Sequence, residues 1–314
     1  MVATLARVGQ GGAMSVAKVQ ILLATWNGAQ WLPELLESLK RQTFSDWQLL
    51  IRDDGSCDRT LRILLDWQAL YPEKVALLQV GGEHLGSSQS FSQLVQTSAA
   101  PYLMFCDQDD IWLPEKVELQ LSALQQLEAE HGTQTPLLVH CDLAVVDALQ
   151  HLRAVSFWDY RQFDVAQRRQ AYLLNNVVTG CAVLFNRAAA NLAFPAPLEA
   201  MQHDRWLALV CAWFGVIQAI PHPLILYRQH GDNQLGAEVT GLKGGLESRI
   251  RAWSLQAEAF LHRYGERLTL DDFKLVEALA ELRHLRGWER RQQIMRHRLF
   301  KQNKLANLAL LLFA

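Results

Sequence analysis

The chain has too few cysteines, in the wrong arrangement, for a disulfide framework or a zinc ribbon. Cys57, Cys106, Cys141, Cys181 and Cys211 are odd in number, scattered and never spaced C-x-x-C. They are expected as reduced thiols of a cytoplasmic protein. No apolar run reaches the ~18 residues that span a bilayer, and the N-terminus lacks the apolar core of a secretory signal. With 18 Gly and 9 Pro in 314 residues, the sequence is neither fibrous nor of low complexity. It also lacks a charge excess: 30 Lys and Arg against 32 Asp and Glu leave −2, so no global field draws it to nucleic acid, and no nucleic-acid partner is expected. A G-x-x-x-x-G-K loop is absent, and Gly9-Gln10-Gly11-Gly12 precedes the first strand instead of following it, which argues against the usual glycine-loop nucleotide sites.

What is present is a 50% apolar chain, enough for a sizeable core. Apolar runs at Val19–Thr25, Trp47–Arg52, Val75–Val80, Tyr102–Cys106 and Leu137–Cys141 read as strands, with helical patterns between them, the first over Gln30–Thr43 and the second over Arg59–Tyr71. Strict alternation predicts a mostly parallel sheet covered on both faces. Shorter stretches follow at Ala182–Phe185, Val216–Ile220 and Leu224–Tyr227, around a helix from about His203 to Trp213. Residues 1–17 are expected as a disordered lead, with Met14 as the alternative start, residues 18–240 as the main α/β domain, and 241–314 as a helical extension.

In such sheets ligands bind at the carboxyl ends of the strands. Three of those ends are polar: Thr25-Trp26-Asn27, Asp53-Asp54-Gly55-Ser56 and Asp107-Gln108-Asp109-Asp110. Clustered carboxylates after a buried strand are costly unless a cation compensates them, and hard oxygen ligands suit Mg²⁺ or Mn²⁺ with a diphosphate-bearing substrate. The plainer reading is a solvated turn capping the next helix. Asp58 suits a helix N-cap, which leaves Asp53 and Asp54 available to a nucleobase N–H or to ribose hydroxyls. Trp26 offers a flat face for a base. Asp204, at the start of a helix, is a candidate general base, with His203 beside it as a cap or core histidine. Arg228 and His230 follow a strand and are candidate contacts to a diphosphate or metal.

Taken in order, these blocks resemble a family 2 glycosyltransferase of the GT-A fold: T-x-N (Thr25–Asn27), D-D-G-S-x-D-x-T (Asp53–Thr60), D-Q-D-D-I-W (Asp107–Trp112), T-G-C (Thr179–Cys181), His203-Asp204 and Tyr227-Arg228-Gln229-His230. The resemblance covers about Val19 to Asn233. It implies a mixed, mostly parallel sheet flanked by helices and followed by a C-terminal helical extension. It also implies that Asp54 holds the donor's base under Trp26, with Thr25 and Asn27 nearby, that Asp53 lies near the ribose, and that Asp107 reaches the metal through water or holds the ribose. Asp109 would ligate Mn²⁺ or Mg²⁺ with His230, Arg228 would face the departing phosphates, Thr179, Gly180 and Cys181 would meet the acceptor, and Asp204 would deprotonate it. The D-Q-D-D-I-W form is similar to bacterial rhamnosyltransferase-like members, which implies dTDP-L-rhamnose or a UDP-sugar as donor and a surface-polysaccharide or lipid-linked glycan as acceptor. Ser90-Phe91 departs from relatives that carry Asn before Phe. The Q-x-x-R-W signature of processive synthases is absent, which implies transfer of one or a few sugars. The rival expectation is a non-catalytic protein that binds sugar nucleotides.

From Arg283 to Lys304 eight Lys and Arg face the single acid Glu289, and the apolar Leu305–Phe313 follows. Two readings stand: a surface helix drawn to anionic lipid on the inner face of the plasma membrane, which a lipid-linked acceptor favours, or an extension packed on the domain with a solvated basic face.

Overall fold

A computed structural model describes residues 16–79, 83–231 and 245–313. The proposed lead, except its last two residues, and the boundary at 240/241 lie outside them, as does Val80 of the third expected strand. The first four strands, β1 (Val19–Thr25), β2 (Trp47–Asp53), β3 (Val75–Gln79) and β4 (Tyr102–Cys106), pair with one another in parallel. Their near-continuous apolar sequences reflect burial on both faces. Val19, Ile21 and Leu23 enter one core, while Leu22 enters the other. The helices between them are α1 (Leu32–Lys40), α2 (Thr60–Leu70) and α3 (Ser87–Thr97).

Beyond β4 come β5 (Ile111–Trp112), α4 (Lys116–His131), β6 (Leu137–Asp147), β7 (Leu152–Ala154), α5 (Phe157–Arg161), β8 (Val183–Asn186), α6 (Arg187–Ala193), α7 (His203–Phe214) and β9 (Val216–Gln229). The sheet order is β3-β2-β1-β4-β8-β6-β9-β5, with β7 on β6. The sheet is mixed, because β8 runs antiparallel to both β4 and β6. β1 pairs with β2 on one side and β4 on the other, so the chain reverses direction of growth there, and a crevice opens at the strand ends. The register aligns Thr25 with Asp53 and Leu23 with Cys106, which brings the three acidic or polar loops to one level.

Two boundaries differ from the sequence expectation for local reasons. The first helix begins at Leu32 instead of Gln30, because Pro33 starts it and the preceding turn closes on Gly28, whose carbonyl accepts from both Trp31 and Leu32 N–H at 3.0 Å. The stretches 216–220 and 224–227 are one strand. Pro221 and Pro223 remove ladder donors, and β6 absorbs the interruption by register shifts at Asp142 instead of ending. Between α7 and β9, Gly215 lies against the chain entering β6: a Cβ there would stand 1.8 Å from the Pro136 carbonyl oxygen. Gly215→Ala is therefore expected to destabilise the fold by about 1–3 kcal/mol, measurable by urea unfolding.

The C-terminal helices α8 (Leu246–Tyr264), α9 (Leu270–Ala280), α10 (Gly287–Arg296) and α11 (Lys304–Phe313) share the core that covers one face of the sheet. Phe260 of α8 meets Trp206, Trp213 and Phe214 of α7 at 5.6–6.0 Å, and Ile294, Leu299 and Leu310 are buried beneath the tail. The basic stretch is thus not one free cationic face. Arg290 is 1% exposed and forks onto Glu247 at 2.6 and 3.2 Å, Arg283 pairs with Glu258 at 2.7 Å, and Arg291 donates to the Leu312 carbonyl. No described helix is long and apolar enough to cross a membrane.

Candidate active site

The polar strand ends line one cleft of about 550 Å³. Thr25, Trp26, Asn27, Asp54, Asp107, Asp109, Thr179, Gly180, Asp204 and His230 all lie on its wall, although they span 206 residues of sequence. Asp53, Cys181 and Arg228 do not.

Asp53 is turned into the loop that follows it. Its Oδ1 accepts from Thr25 Oγ1 (2.9 Å) and Ser56 Oγ (2.6 Å), and its Oδ2 from Ser56 N–H (2.9 Å), so the carboxylate expected near the ribose holds the turn here. The turn needs the left-handed residue Gly55, at φ +86°. Asn27, itself at φ +50°, locks to the same loop through its N–H on Ser56 Oγ and its side-chain carbonyl on Cys57 N–H, both 2.8 Å. Asp58 accepts from Thr60 N–H at the start of α2 and from Ala29 N–H, which ties the first two strand ends together.

Asp54 faces the cleft, but its carboxylate is not open. Arg52 and Leu85 N–H contact Oδ1, while Gly86 N–H (2.8 Å) and His84 Nδ1 (2.9 Å) contact Oδ2. Three donors thus occupy the carboxylate, and the His84 ring stands beside Oδ2 with its Nδ1 also 3.2 Å from the Asp54 backbone carbonyl. Burial works against ionisation here, yet the Leu85 N–H, the Arg52 guanidinium and the Gly86 N–H outweigh it and hold the carboxyl below its usual range. Arg52 is 2% exposed and is held in turn by Gln93 and by Ser90, the residue that departs from the family pattern. His84 also lies 5.0 Å from the Trp26 ring, which is 47% exposed.

The third strand end is the centre of negative charge. Burial, then repulsion from Asp109 and Asp204, lifts the Asp107 carboxyl to about 7. Asp110 lies below at 1% exposure, with Oδ2 unpaired among the described residues. Cys181 belongs to this buried layer: one ligand atom each of Asp107, Asp110 and Cys181 lie within 4.8 Å of one another. Burial and these two carboxylates keep its thiol well above the usual range, so the residue expected to meet the acceptor is a fully buried, neutral thiol here. Asp109 Oδ2 lies 2.9 Å from His230 Nε2 on the cleft wall. A surplus of buried carboxylate beside an imidazole fits a hard divalent cation, held by Asp109 and His230 with Asp107 alongside.

Arg228, expected to face the departing phosphates, is instead held by protein groups in this structure. At 2% exposure its guanidinium donates to the carbonyls of Asp109 (3.0 Å) and Ala148 (3.1 Å) and pairs with Glu34. Its guanidinium carbon lies 4.6 Å from the Trp31 ring, whose own ring stacks on His230 at 4.7 Å. Trp31 thereby fixes His230. The residue stood just ahead of the apolar stripe of α1 in the sequence, and nothing local marked it. Gln108 was quoted in the acidic block without a role; its amide accepts from Trp26 N–H (2.8 Å) and donates to Trp26 O (3.0 Å), clamping the first loop to the third.

Asp204, also on the cleft wall, lies in the first turn of α7. Burial raises its carboxyl to about 6, against lowering by the Arg205 and Gly180 N–H groups, the Arg205 charge and Asn176. Arg205 N–H lies 2.6 Å from Oδ1, and Asn176 Nδ2 lies 3.4 Å from Oδ2. His203 does not cap the helix. It stacks on Phe91 at 4.1 Å, and burial lowers its pKa to about 3, so it is a neutral core ring.

Comparison with known proteins bears on the family and the fold. The chain is 26% identical over 222 residues to a dTDP-rhamnosyl transferase, RfbG, of Shigella flexneri, covering 69% of this chain and 75% of that one. Its fold is similar to that of S. aureus TarS residues 1–349 in complex with UDP-GlcNAc, with a TM-score of 0.57 at 16% identity over 89% of this chain and 79% of the other. A mannosyltransferase from Pyrobaculum calidifontis in complex with GDP-Man and Mn²⁺ gives a TM-score of 0.51 at 16% identity, covering 94% and 79%. The model of the family described as Glycosyl transferase family 2 matches residues 20–192, from the first strand to the helix after β8 and more than half of the sequence, and the chain belongs to that family.

Proposed function

We propose that this glycosyltransferase moves a sugar from a nucleoside-diphosphate donor, dTDP-L-rhamnose or a UDP-sugar, to a hydroxyl of a surface-polysaccharide or lipid-linked glycan acceptor, with inversion at the anomeric carbon. The observation that carries this reading is that a general-base candidate, Asp204, and the acidic pair Asp107 and Asp109 share one cleft with the exposed ring of Trp26. The base lies over Trp26 and donates to Asp54 at Oδ2, the oxygen beside His84. Asp109 and His230 hold Mn²⁺ or Mg²⁺, with Asp107 beside them or on the ribose. The cation, when bound, neutralises charge on the leaving diphosphate. Thr179 and Gly180 border the acceptor, and Asp204 takes the proton from its hydroxyl as that oxygen attacks the anomeric carbon from the face opposite the departing diphosphate. Absence of a processive signature fits transfer of one or a few sugars.

The domain division at about residue 240 is part of this reading, with the tail as the face toward the cytoplasmic leaflet. Trp288, Met295, Leu308 and Leu312 are exposed there beside Arg286, Arg296 and Arg298. Such a surface suits peripheral contact with anionic lipid.

The pH dependence tests the role of Asp204. A base with its pKa raised to about 6 is active when ionised, so kcat is expected to be flat above neutrality and to fall about tenfold per unit below pH 6. Release of nucleoside diphosphate, measured with glycan acceptor from pH 4.5 to 8.5, gives the profile. A rate unchanged down to pH 4.5 would remove Asp204 as the base.

A further inference from the structure

The transfer reaction gives His203 no task, yet its ring forms part of the cleft wall. It opens α7 at 5% exposure, next to Asp204. Its faces are taken: Phe91 of α3 stacks on it at 4.1 Å, and Phe105 of β4 meets it edge to face at 4.6 Å. Its two nitrogens, Nδ1 and Nε2, are buried with no hydrogen-bond partner among the described residues. Unpaired buried polar atoms cost the fold, and a ring that only filled the space between two phenylalanines would fill it better without nitrogens.

Gly180 stands against the edge of this ring. A Cβ there would lie 3.2 Å from His203 Nε2 and 3.5 Å from Asp204 Cβ. Gly180 also lines the cleft, so its missing side chain leaves a recess bordered at once by the imidazole edge and by the base residue. Burial lowers the ring's pKa to about 3, and at neutral pH one nitrogen donates while the other accepts. Such a ring carries no charge to balance a phosphate; it matches a hydroxyl, which likewise donates and accepts. The elements it rests on belong to the donor half of the cleft: α3 follows the Leu85 and Gly86 N–H groups that hold Asp54, and β4 leads into Asp107.

We propose that His203 recognises the transferred sugar, its Nε2 hydrogen-bonding a ring hydroxyl that enters the recess beside Gly180. The proposal rests on the donor-site reading above and adds a residue that reads the sugar and not the nucleotide. It makes His203 a specificity residue, since a sugar without that hydroxyl leaves the buried nitrogen unpaired.

Calorimetry in Mn²⁺ compares UDP and dTDP with UDP-glucose, UDP-N-acetylglucosamine and dTDP-L-rhamnose, in wild type, His203→Phe and His203→Gln. His203→Phe keeps a ring against Phe91 and Phe105 and removes both nitrogens, whereas His203→Gln loses the stacking and keeps an amide near the place of Nε2. UDP and dTDP are expected to bind all three proteins within a factor of about two. The nucleotide sugar that wild type binds most tightly is expected to bind His203→Phe at least tenfold more weakly, with His203→Gln in between. Stability is expected in another order, His203→Phe unfolding at or above the wild-type temperature and His203→Gln below it. A histidine that only supports the core gives affinities that follow the stabilities instead. His203→Leu, smaller than either ring, repeats the comparison if phenylalanine is not accommodated. Affinity for every nucleotide sugar within twofold of wild type in His203→Phe, or a loss shared equally by UDP and dTDP, overturns the proposal. A wild-type protein that binds neither nucleotide removes the donor-site reading and this proposal with it, a failure recognisable before His203 is changed.

Discussion

Asp204→Asn is expected to lower kcat by about 10²–10⁴-fold while leaving nucleotide affinity within a factor of two or so. The substitution is isosteric, and the amide oxygen still accepts the Arg205 N–H that lies 2.6 Å from the carboxylate. What it removes is the proton acceptor. It also removes a negative charge that helps to lift Asp107 to about 7, so the Asp107 carboxylate is more fully ionised at neutral pH and cation binding does not suffer. Parallel measurement of kcat and of nucleotide affinity separates a lost base from a damaged cleft. A protein that only binds sugar nucleotides has no turnover to lose, and equal loss of both quantities would mean that Asp204 supports the fold of the site.

Asp54→Ala is expected to cost the fold about 3–5 kcal/mol and to abolish nucleotide binding. The reason is the cation left behind: Arg52 is buried at 2% exposure, and removing one partner of a buried pair leaves an uncompensated charge. The N–H groups of Leu85 and Gly86 lose their acceptor too, so the turn into α3 loosens. At neutral pH this is a fall of roughly 10 °C in Tm, by the ~2–4 °C per kcal/mol of a chain this large. The sign of the pH dependence follows from the lowered carboxyl. Its contribution is complete above the usual carboxylate range and disappears as pH falls through the folded-state value, so wild type and variant should converge in stability in strong acid. A variant as stable as wild type at pH 7 would show that Arg52 finds compensation elsewhere.

How much of this was legible in the sequence depends on whether the deciding contact is local. Strands β1 to β4 were readable because a strand buried on both faces leaves an unbroken apolar run, and the polar residues after Thr25 and Cys106 mark where it ends. That the three polar ends share one cleft also followed from the parallel arrangement. Which side chain of each end faces the cleft did not. Asp53 and Asp54 are neighbours of identical chemistry, and only the fold shows that Ser56 and Thr25 take the first while the second points at the cleft. Arg228 and Cys181 sit in blocks that looked functional, yet one lies beneath Asp109 and the other beneath Asp107, because their partners come from Glu34 and from Asp110 far away in the chain. His84 and Trp31 carried no signal: their importance lies in Asp54, Trp26, Arg228 and His230, which only tertiary packing brings to them. The tail was ambiguous for a related reason. A basic, amphipathic helix suits a lipid surface or a protein core equally well, and the Arg290–Glu247 fork that turns part of it inward joins residues 43 apart.

The most direct test of the central claim, that the acidic strand ends build a cation-dependent nucleotide site, is calorimetry of UDP and dTDP with Mn²⁺, with EDTA, and with Asp109→Ala. The account predicts binding of at least one nucleotide in Mn²⁺ that weakens tenfold or more in EDTA and is lost in the variant. A folded wild-type protein that binds neither nucleotide with or without Mn²⁺, or binds equally well after Asp109 is removed, would contradict it.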